Sequence, residues 1–252
     1  MSTTGEPGAT TTIRIRGTRS ISASNEPLII VDGVIDGIHD LNDINSADIE
    51  SISVLKDASS TSIYGARAAN GVVVITTKRG RMADHPVINY RMQLGFSQLA
   101  YGNWDQMNTA ERIQYEKEIG MTEGKNYALL SKTDVNWLDE VFNDAALLQS
   151  YELSVSGANA KTNYYVSGGY YDQEGIAPGS DFNRYSLRAN VEQRAADWLK
   201  VGTNTLLNYQ EIELAQSGDY TIVTPISAAR FMMPFPVTIQ INLDQSFWLD
   251  LF

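Results

Sequence analysis

The chain has 252 residues, 43% of them hydrophobic, and a formal net charge of −11, which allows one large domain or two small ones and rules out compositional disorder. Acid dispersed along the sequence leaves no basic stripe to neutralise phosphates, so a general nucleic-acid binder is excluded. No cysteine is present, so disulfides and thiolate metal sites are excluded as well, and no apolar run approaches the ~20 residues of a spanning helix.

The opening MSTTGEPGATTTIRIRG has neither a basic nor an apolar signal region. That leaves a cytoplasmic protein or a chain whose true N-terminus lies upstream. From there to about Gly80, short apolar strands alternate with turns: TIRIRG, PLIIVDGV, SISVLKD and GVVVITTK. Val31-Asp32-Gly33-Val34 reads as a hairpin corner. Ser46 is placed to cap a short turn through Asp48, and Asp57 to cap ASSTSIY, which Gly65 would end. These elements predict a compact α+β unit of about eighty residues.

After Pro86 the pattern becomes long period-2 strands. In VINYRMQLGFSQ, Ile88, Tyr90, Met92, Leu94 and Phe96 share one face and Asn89, Arg91, Gln93 and Ser97 the other. YELSVSG, TNYYVSGGYYDQEG, RYSLRANVEQR and WLKVGTNTLLNYQ repeat the alternation, which makes five strands rich in tyrosine. Strands of this kind suit a transmembrane barrel, with lipid outside and a wet or plugged lumen inside. They also suit a soluble β-sandwich, and periodicity alone does not separate the two. Between the first two strands, NTAERIQYEKEIG predicts a helix with an Asn108–Glu111 capping box and a stop at Gly120.

No catalytic motif emerges. The acidic run from Asp40 fails as a calcium loop, because Ile44, Asn45 and Ser51 stand where an oxygen ligand, a glycine and a glutamate are needed. Asp36 and Asp40 read as solvated loop acids, and His39 and His85 as polar surface histidines. Phosphate loops, GxSxG elbows and HExxH motifs are absent from the sequence. The reading is therefore not an enzyme, with no metal and no cofactor.

The residues do carry a resemblance. RIRGT, NEPLIIVDGV and LNDINSADIESISVLKDASSTSIYGARAANGVVVITTKRG, in that order, resemble the later part of the plug domain of TonB-dependent outer-membrane transporters, and most nearly the SusC/RagA family of glycan and peptide importers. NWLDEVF, ELSVSGANAKTNYYVSGGYYDQEG and FNRYSLRANVEQRAADWLKVG resemble its first barrel segments. The resemblance implies an α+β plug remainder over residues 1–80, antiparallel strands of an incomplete transmembrane β-barrel over 81–230, and a tail over 231–252 that does not match. It implies a fragment of a Gram-negative outer-membrane transporter that is inactive alone. Its full-length form would work with a TonB complex, a SusD-like surface lipoprotein, a glycan or peptide ligand and outer-membrane lipid, and without nucleic acid. A siderophore receptor or signal transducer sharing the plug is the alternative within the class.

The plug motif and plug–barrel contacts implied by the resemblance are Arg14, Arg16, Gly17, Asp32, Gly33, Lys56, Asp57, Tyr64, Gly65, Arg67, Asn70 and Gly71. Gly65, Asn70 and Gly71 are expected to supply turns with positive φ. Arg16 resembles a plug arginine that pairs with barrel glutamates. On the strands, Arg91, Glu152, Arg188 and Glu192 are expected to face the plug, and Tyr90, Met92, Leu153 and Leu187 to face lipid.

Overall fold

The structure is a computed structural model that describes residues 6–9, 13, 15, 26–38, 40–57, 62–100, 106–214 and 225–235. The chain divides into two compact units, residues 1–98 with 144–215, and 99–143 with 216–252. Two sheets make up the first.

The smaller sheet holds β1 (Leu28–Val31), β2 (Val34–Ile35), β3 (Ile49–Leu55) and β4 (Val72–Thr77). Their order is β2-β1-β4-β3. β1 runs parallel to β4, from Leu28 opposite Val72 to Val31 opposite Ile75, and β3 runs antiparallel to β4. Asp32 and Gly33 join β1 to β2 with φ of 49° and 87°. A two-residue hairpin turn with both central residues at positive φ matches the twist of its strands, and Asp-Gly is a pair that tolerates it.

Both faces of β4 are covered. Val31, Ile38, Ile44, Val73 and Ile75 form one buried cluster, and Leu28, Ile30, Ala68 and Val72 another. Alternation along β1 and β4 sends successive residues to opposite clusters, so the run reads as continuously apolar.

The turns correct two expectations. Asn45, rather than Ser46, caps the 3₁₀ turn Ser46–Asp48, its side-chain oxygen accepting from the Ala47 N–H at 3.0 Å. An amide oxygen closes such a two-residue turn readily. Gly65 ends the turn through Tyr64 as expected: at φ 67° it is non-helical, and a second short 3₁₀ turn follows it up to Ala68. The cap expected of Asp57 falls on residues outside the described ones. Asn70 does not adopt positive φ, which Asp36 does instead, at 54°; the Asn70 amide donates to the Glu26 carbonyl at 3.3 Å. Asp40 and Asp43 form the capping box of the turn Leu41–Asp43.

The larger sheet is a five-stranded antiparallel meander of β5 (Val87–Ser97), β6 (Ala146–Ala158), β7 (Thr162–Glu174), β8 (Asp181–Ala196) and β9 (Leu199–Glu213). Its strands have 11 to 16 residues, enough to cross a bilayer when tilted. Cross-strand register aligns Met92, Tyr151, Tyr170, Tyr185 and Tyr209 in one row. The four tyrosine rings follow one another at centroid separations of 6.4, 4.9 and 6.3 Å. Below that row, Tyr90, Leu153, Leu187 and Leu207 are exposed, whereas the opposite face buries Glu152, Ser154, Ser167, Ser186, Arg188 and Asn190. A sandwich needs a second sheet over the apolar face; among the described residues that face is bare.

In the second unit, Asn108 and Glu111 form the expected capping box of α1 (Thr109–Glu118), and Gly120 follows at φ 77°. Glu116, fully buried, pairs with Arg112 at 3.1 Å and Lys125 at 2.8 Å. Burial alone would raise its carboxyl, but hydrogen bonds from Lys125 and Arg112, together with their charges, hold it below the usual carboxylate range. Short helices α2 (Tyr127–Leu130), α3 (Trp137–Val141) and α4 (Pro225–Phe231) complete the unit. The Trp137 indole donates to the Met233 carbonyl at 2.6 Å.

Candidate functional site

The polar face of the large sheet and the rim of the small sheet meet along a seam of buried hydrogen bonds. Asp32, at the hairpin corner, is its centre. One carboxylate oxygen accepts from the Thr77 N–H at 2.9 Å, and the other accepts from the Thr77 hydroxyl and from Nη2 of Arg188, each at 2.5 Å. Arg188 also donates to the Thr77 hydroxyl oxygen at 2.7 Å, and the Asn190 amide donates to the same oxygen at 3.0 Å and to the Lys78 carbonyl at 2.9 Å. The Asp32 and Arg188 side chains are each 3% exposed. Two charges this deep are tolerated only as a pair, because either alone would lack the water or counter-charge that offsets desolvation.

Three further attachments flank that centre. Asp48, on the small sheet's side, accepts from the Tyr165 hydroxyl at 2.9 Å and the Ser167 hydroxyl at 2.5 Å, both from β7. Arg184 of β8 and Gln210 of β9 donate to the Asn42 carbonyl at 2.7 and 3.0 Å. The Asn163 side chain exchanges two hydrogen bonds with the backbone of Gly80, at 2.8 and 3.0 Å. A side-chain amide there imitates a strand partner. A Cβ at Gly80 would collide with the carbonyl oxygens of Gly157 and Tyr164, so this crossing point requires glycine.

The seam's chemistry is adhesive rather than reactive: carboxylates, hydroxyls, amides and two guanidiniums that hydrogen-bond one another across two sheets. Of the plug residues singled out in the sequence, Asp32 reaches the large sheet, through Arg188. Gly33 completes its turn, Tyr64 packs under the Leu28 cluster, and Gly71 adopts φ 100° against Ile15. Arg67 pairs with Asp36 within the small unit, and Lys56 and Asp57 are exposed. Arg14, Arg16 and Gly17 lie outside the described residues. The buried ion pair that is described has the acid on the small sheet and the base on the wall, the reverse of the polarity expected for Arg16.

On the strands, Arg188 and Glu152 face the small unit and are buried, Arg91 and Glu192 on the same polar face are exposed, and Tyr90, Met92, Leu153 and Leu187 are exposed on the other side. Thr77, Asp48, Asn163, Arg184, Asn190 and Gln210 were not singled out by the sequence. Strand parity assigns Arg184, Asn190 and Gln210 to the polar face but gives no partner.

The chain is similar to proteins of known family. The TonB-dependent Receptor Plug Domain family matches residues 1–72. TonB-dependent receptor P26 of Formosa agariphila is 38% identical over 218 residues, 84% of this chain and 22% of that protein. TonB-dependent receptor SusC of Bacteroides thetaiotaomicron is 37% identical over 198 residues, 76% of this chain and 19% of that protein. The chain thus spans about a fifth of the length of these curated relatives.

Among solved structures, the RagAB peptide transporter superposes with a TM-score of 0.77 at 35% identity, over 86% of this chain and 28% of that one. The RagAB peptide importer in its open-open state superposes at 0.73 and 37% identity, over 83% of this chain and 27% of that one. These relatives are transport proteins of the outer membrane and not enzymes. A plug-like mixed sheet followed by an antiparallel, barrel-type sheet agrees with these similarities, and the chain belongs to the SusC/RagA family of TonB-dependent outer-membrane transporters.

Proposed function

We propose that this chain contributes part of the plug and barrel of a transporter that imports peptides or glycans, energised by a TonB complex and served by a SusD-like surface lipoprotein. The plug occupies residues 1–80, the barrel strands and their loops 81–230, and a tail 231–252. Similarity to the RagAB peptide transporter supports a peptide ligand. The observation that carries the reading is the inverted polarity of the large sheet. Among the described residues its apolar face is bare, while polar residues of β6 to β8 such as Glu152, Ser167 and Arg188 are buried on the other face, Arg188 against Asp32.

The 252 residues do not transport by themselves. β5 and β9 are the outer strands of the described sheet, and their unpaired backbone groups would each cost several kcal/mol in hydrocarbon, so the wall must close on further strands. By the general rule for these barrels, the 3-residue β6–β7 and 2-residue β8–β9 turns face the periplasm and the longer connections face outside.

The test is uptake by cells carrying the full-length transporter that contains this segment, supplied with labelled peptide and labelled oligosaccharide pools, with and without the energising complex. Energy-dependent uptake of either pool is expected. Uptake of neither, or uptake indifferent to the energising complex, overturns the reading, as would ligand-specific flux through liposomes bearing the 252-residue chain alone.

A further inference from the structure

The second unit is assembled from two stretches of chain that are distant in sequence. Under the rule that turns the short connections to the periplasm, β5 and β9 both end on the outer side, and the chain leaving each of them enters this unit. Hydrogen bonds join the two stretches. The Gln106 amide donates to the Ala229 carbonyl at 2.9 Å, the Val135 N–H to the Pro234 carbonyl at 2.8 Å, and the Trp137 indole to the Met233 carbonyl. Each of these acceptors is a backbone carbonyl, so none of the bonds draws on a side chain of the second stretch.

A cavity of about 780 Å³ lies between the two stretches, within the range of roughly 300–1,000 Å³ that small-ligand clefts occupy. Its apolar lining includes Met107, Trp137, Phe231 and Met232. Phe231 is 75% exposed, Met107 47% and Met232 46%, a concentration of large apolar surface that the folding of the unit leaves unused. Two of the four are thioethers, which are unbranched and polarisable and adapt to apolar groups of different shape.

The polar lining narrows the ligand class. Glu111 and Asp134 face Arg112 and Arg230 around the cavity, and two acids against two bases favour neither a strongly acidic nor a strongly basic ligand. Both carboxylates are drawn onto backbone N–H groups at the start of α1, Glu111 to Asn108 at 3.0 Å and Asp134 to Thr109 at 2.8 Å. The indole N–H is committed to Met233. Groups that would read sugar hydroxyls are therefore already engaged, and the apolar side chains are the more available surface.

Resting on the importer reading above, we infer that this cavity is a peptide-binding site that holds one bulky apolar side chain against Met107, Phe231 and Met232 and tolerates varied sequence on either side of it.

Equilibrium binding tests the site, and uptake tests the reading on which it rests, so the two can fail separately. Two labelled heptapeptides, identical except for phenylalanine or alanine at the central position, are titrated into the purified full-length transporter and into its Met107→Ser, Met232→Ser double variant. The parent is expected to bind the phenylalanine peptide at least about tenfold more tightly. The variant is expected to lose most of that preference, with its affinity for the alanine peptide unchanged. Equal affinities in the parent, or a preference that the substitutions do not move, overturn the inference. Binding of labelled maltoheptaose that the variant loses, with neither peptide bound, assigns the cavity to glycans and overturns it too. If the double variant does not assemble, Phe231→Ser alone decides by the same criterion. Cells that take up neither peptide, while the purified protein keeps its preference, remove the importer reading and leave the site standing.

Discussion

Along β1 and β4 of the small sheet the buried residues other than Thr77 are the apolar ones: Leu28, Ile30, Val72 and Ile75 are at most 7% exposed, although Val34 and Ile35 of β2 and Ile52 and Val54 of β3 are exposed, and the polar corner residues sit at the rim. In the large sheet the relation is reversed. Leu153, Leu187 and Tyr185 are about half exposed, while Glu152, Ser167, Arg188 and Asn190 are buried. Both sheets alternate, and both obey the same rule that a buried polar group needs a partner. What differs is the medium each face meets. The small sheet uses an apolar interior to hold itself together, and the large sheet uses a polar interior to hold something else. A single list of buried residues would conceal the difference, which appears only when burial is read with polarity.

Breaking the seam should have the largest effect. Arg188→Ala leaves the Asp32 carboxylate buried with its counter-charge gone, at a cost of about 3–5 kcal/mol to plug seating. In the full-length transporter, limited proteolysis should cut the plug much faster. Unchanged protease resistance would mean that the pair is not buried.

Next comes the bare face. Leu187→Arg puts a charge where hydrocarbon is expected, about 2–4 kcal/mol against assembly, whereas Glu192→Arg on the lumen side should be tolerated. Equal yields of folded protein from the two variants would erase the contrast between the faces.

Within the small sheet, Gly71→Ala tests whether its turns are as constrained as its core. At φ 100°, with a new Cβ 2.9 Å from the Ile15 side chain, the change should cost about 1–3 kcal/mol. A melting temperature within a degree of the parent's would contradict that.

The smallest effect is expected in the second unit, which belongs to neither sheet. The folded Glu116 carboxyl titrates below its unfolded counterpart. Its contribution is therefore present above the unfolded value and is lost as pH falls through the folded one. Arg112 and Lys125 are partly solvated, at 29% and 26% exposed, so about 1 kcal/mol is at stake. Hydrogen exchange in α1 should become faster on acidification, and Glu116→Gln should flatten that dependence. A variant with the parent's pH profile would assign the protection elsewhere.

Several features were legible in the sequence because their causes are local. Strand parity in VINYRMQLGFSQ and its counterparts follows from a side-chain period of two. The Asp32-Gly33 corner follows from the φ values its turn demands, and the Asn108–Glu111 box from orphan N–H groups one helical turn apart. Neighbours along the chain decide such things.

The seam was not legible in this way. Asp32 and Arg188 are 156 residues apart, and although the resemblance put Asp32 among the plug contacts and Arg188 on the plug-facing side, nothing in the sequence joins the two. Which polar residue on the wall meets which residue of the plug depends on the register of β7 to β9 and on where β4 ends beneath them. The exclusion of water that turns a surface charge into a buried lock exists only once the two sheets have closed on each other. The sequence by itself therefore determined which faces are polar, because alternation is a property of one strand, and only the tertiary structure decided the partners, because pairing and desolvation belong to two strands at once.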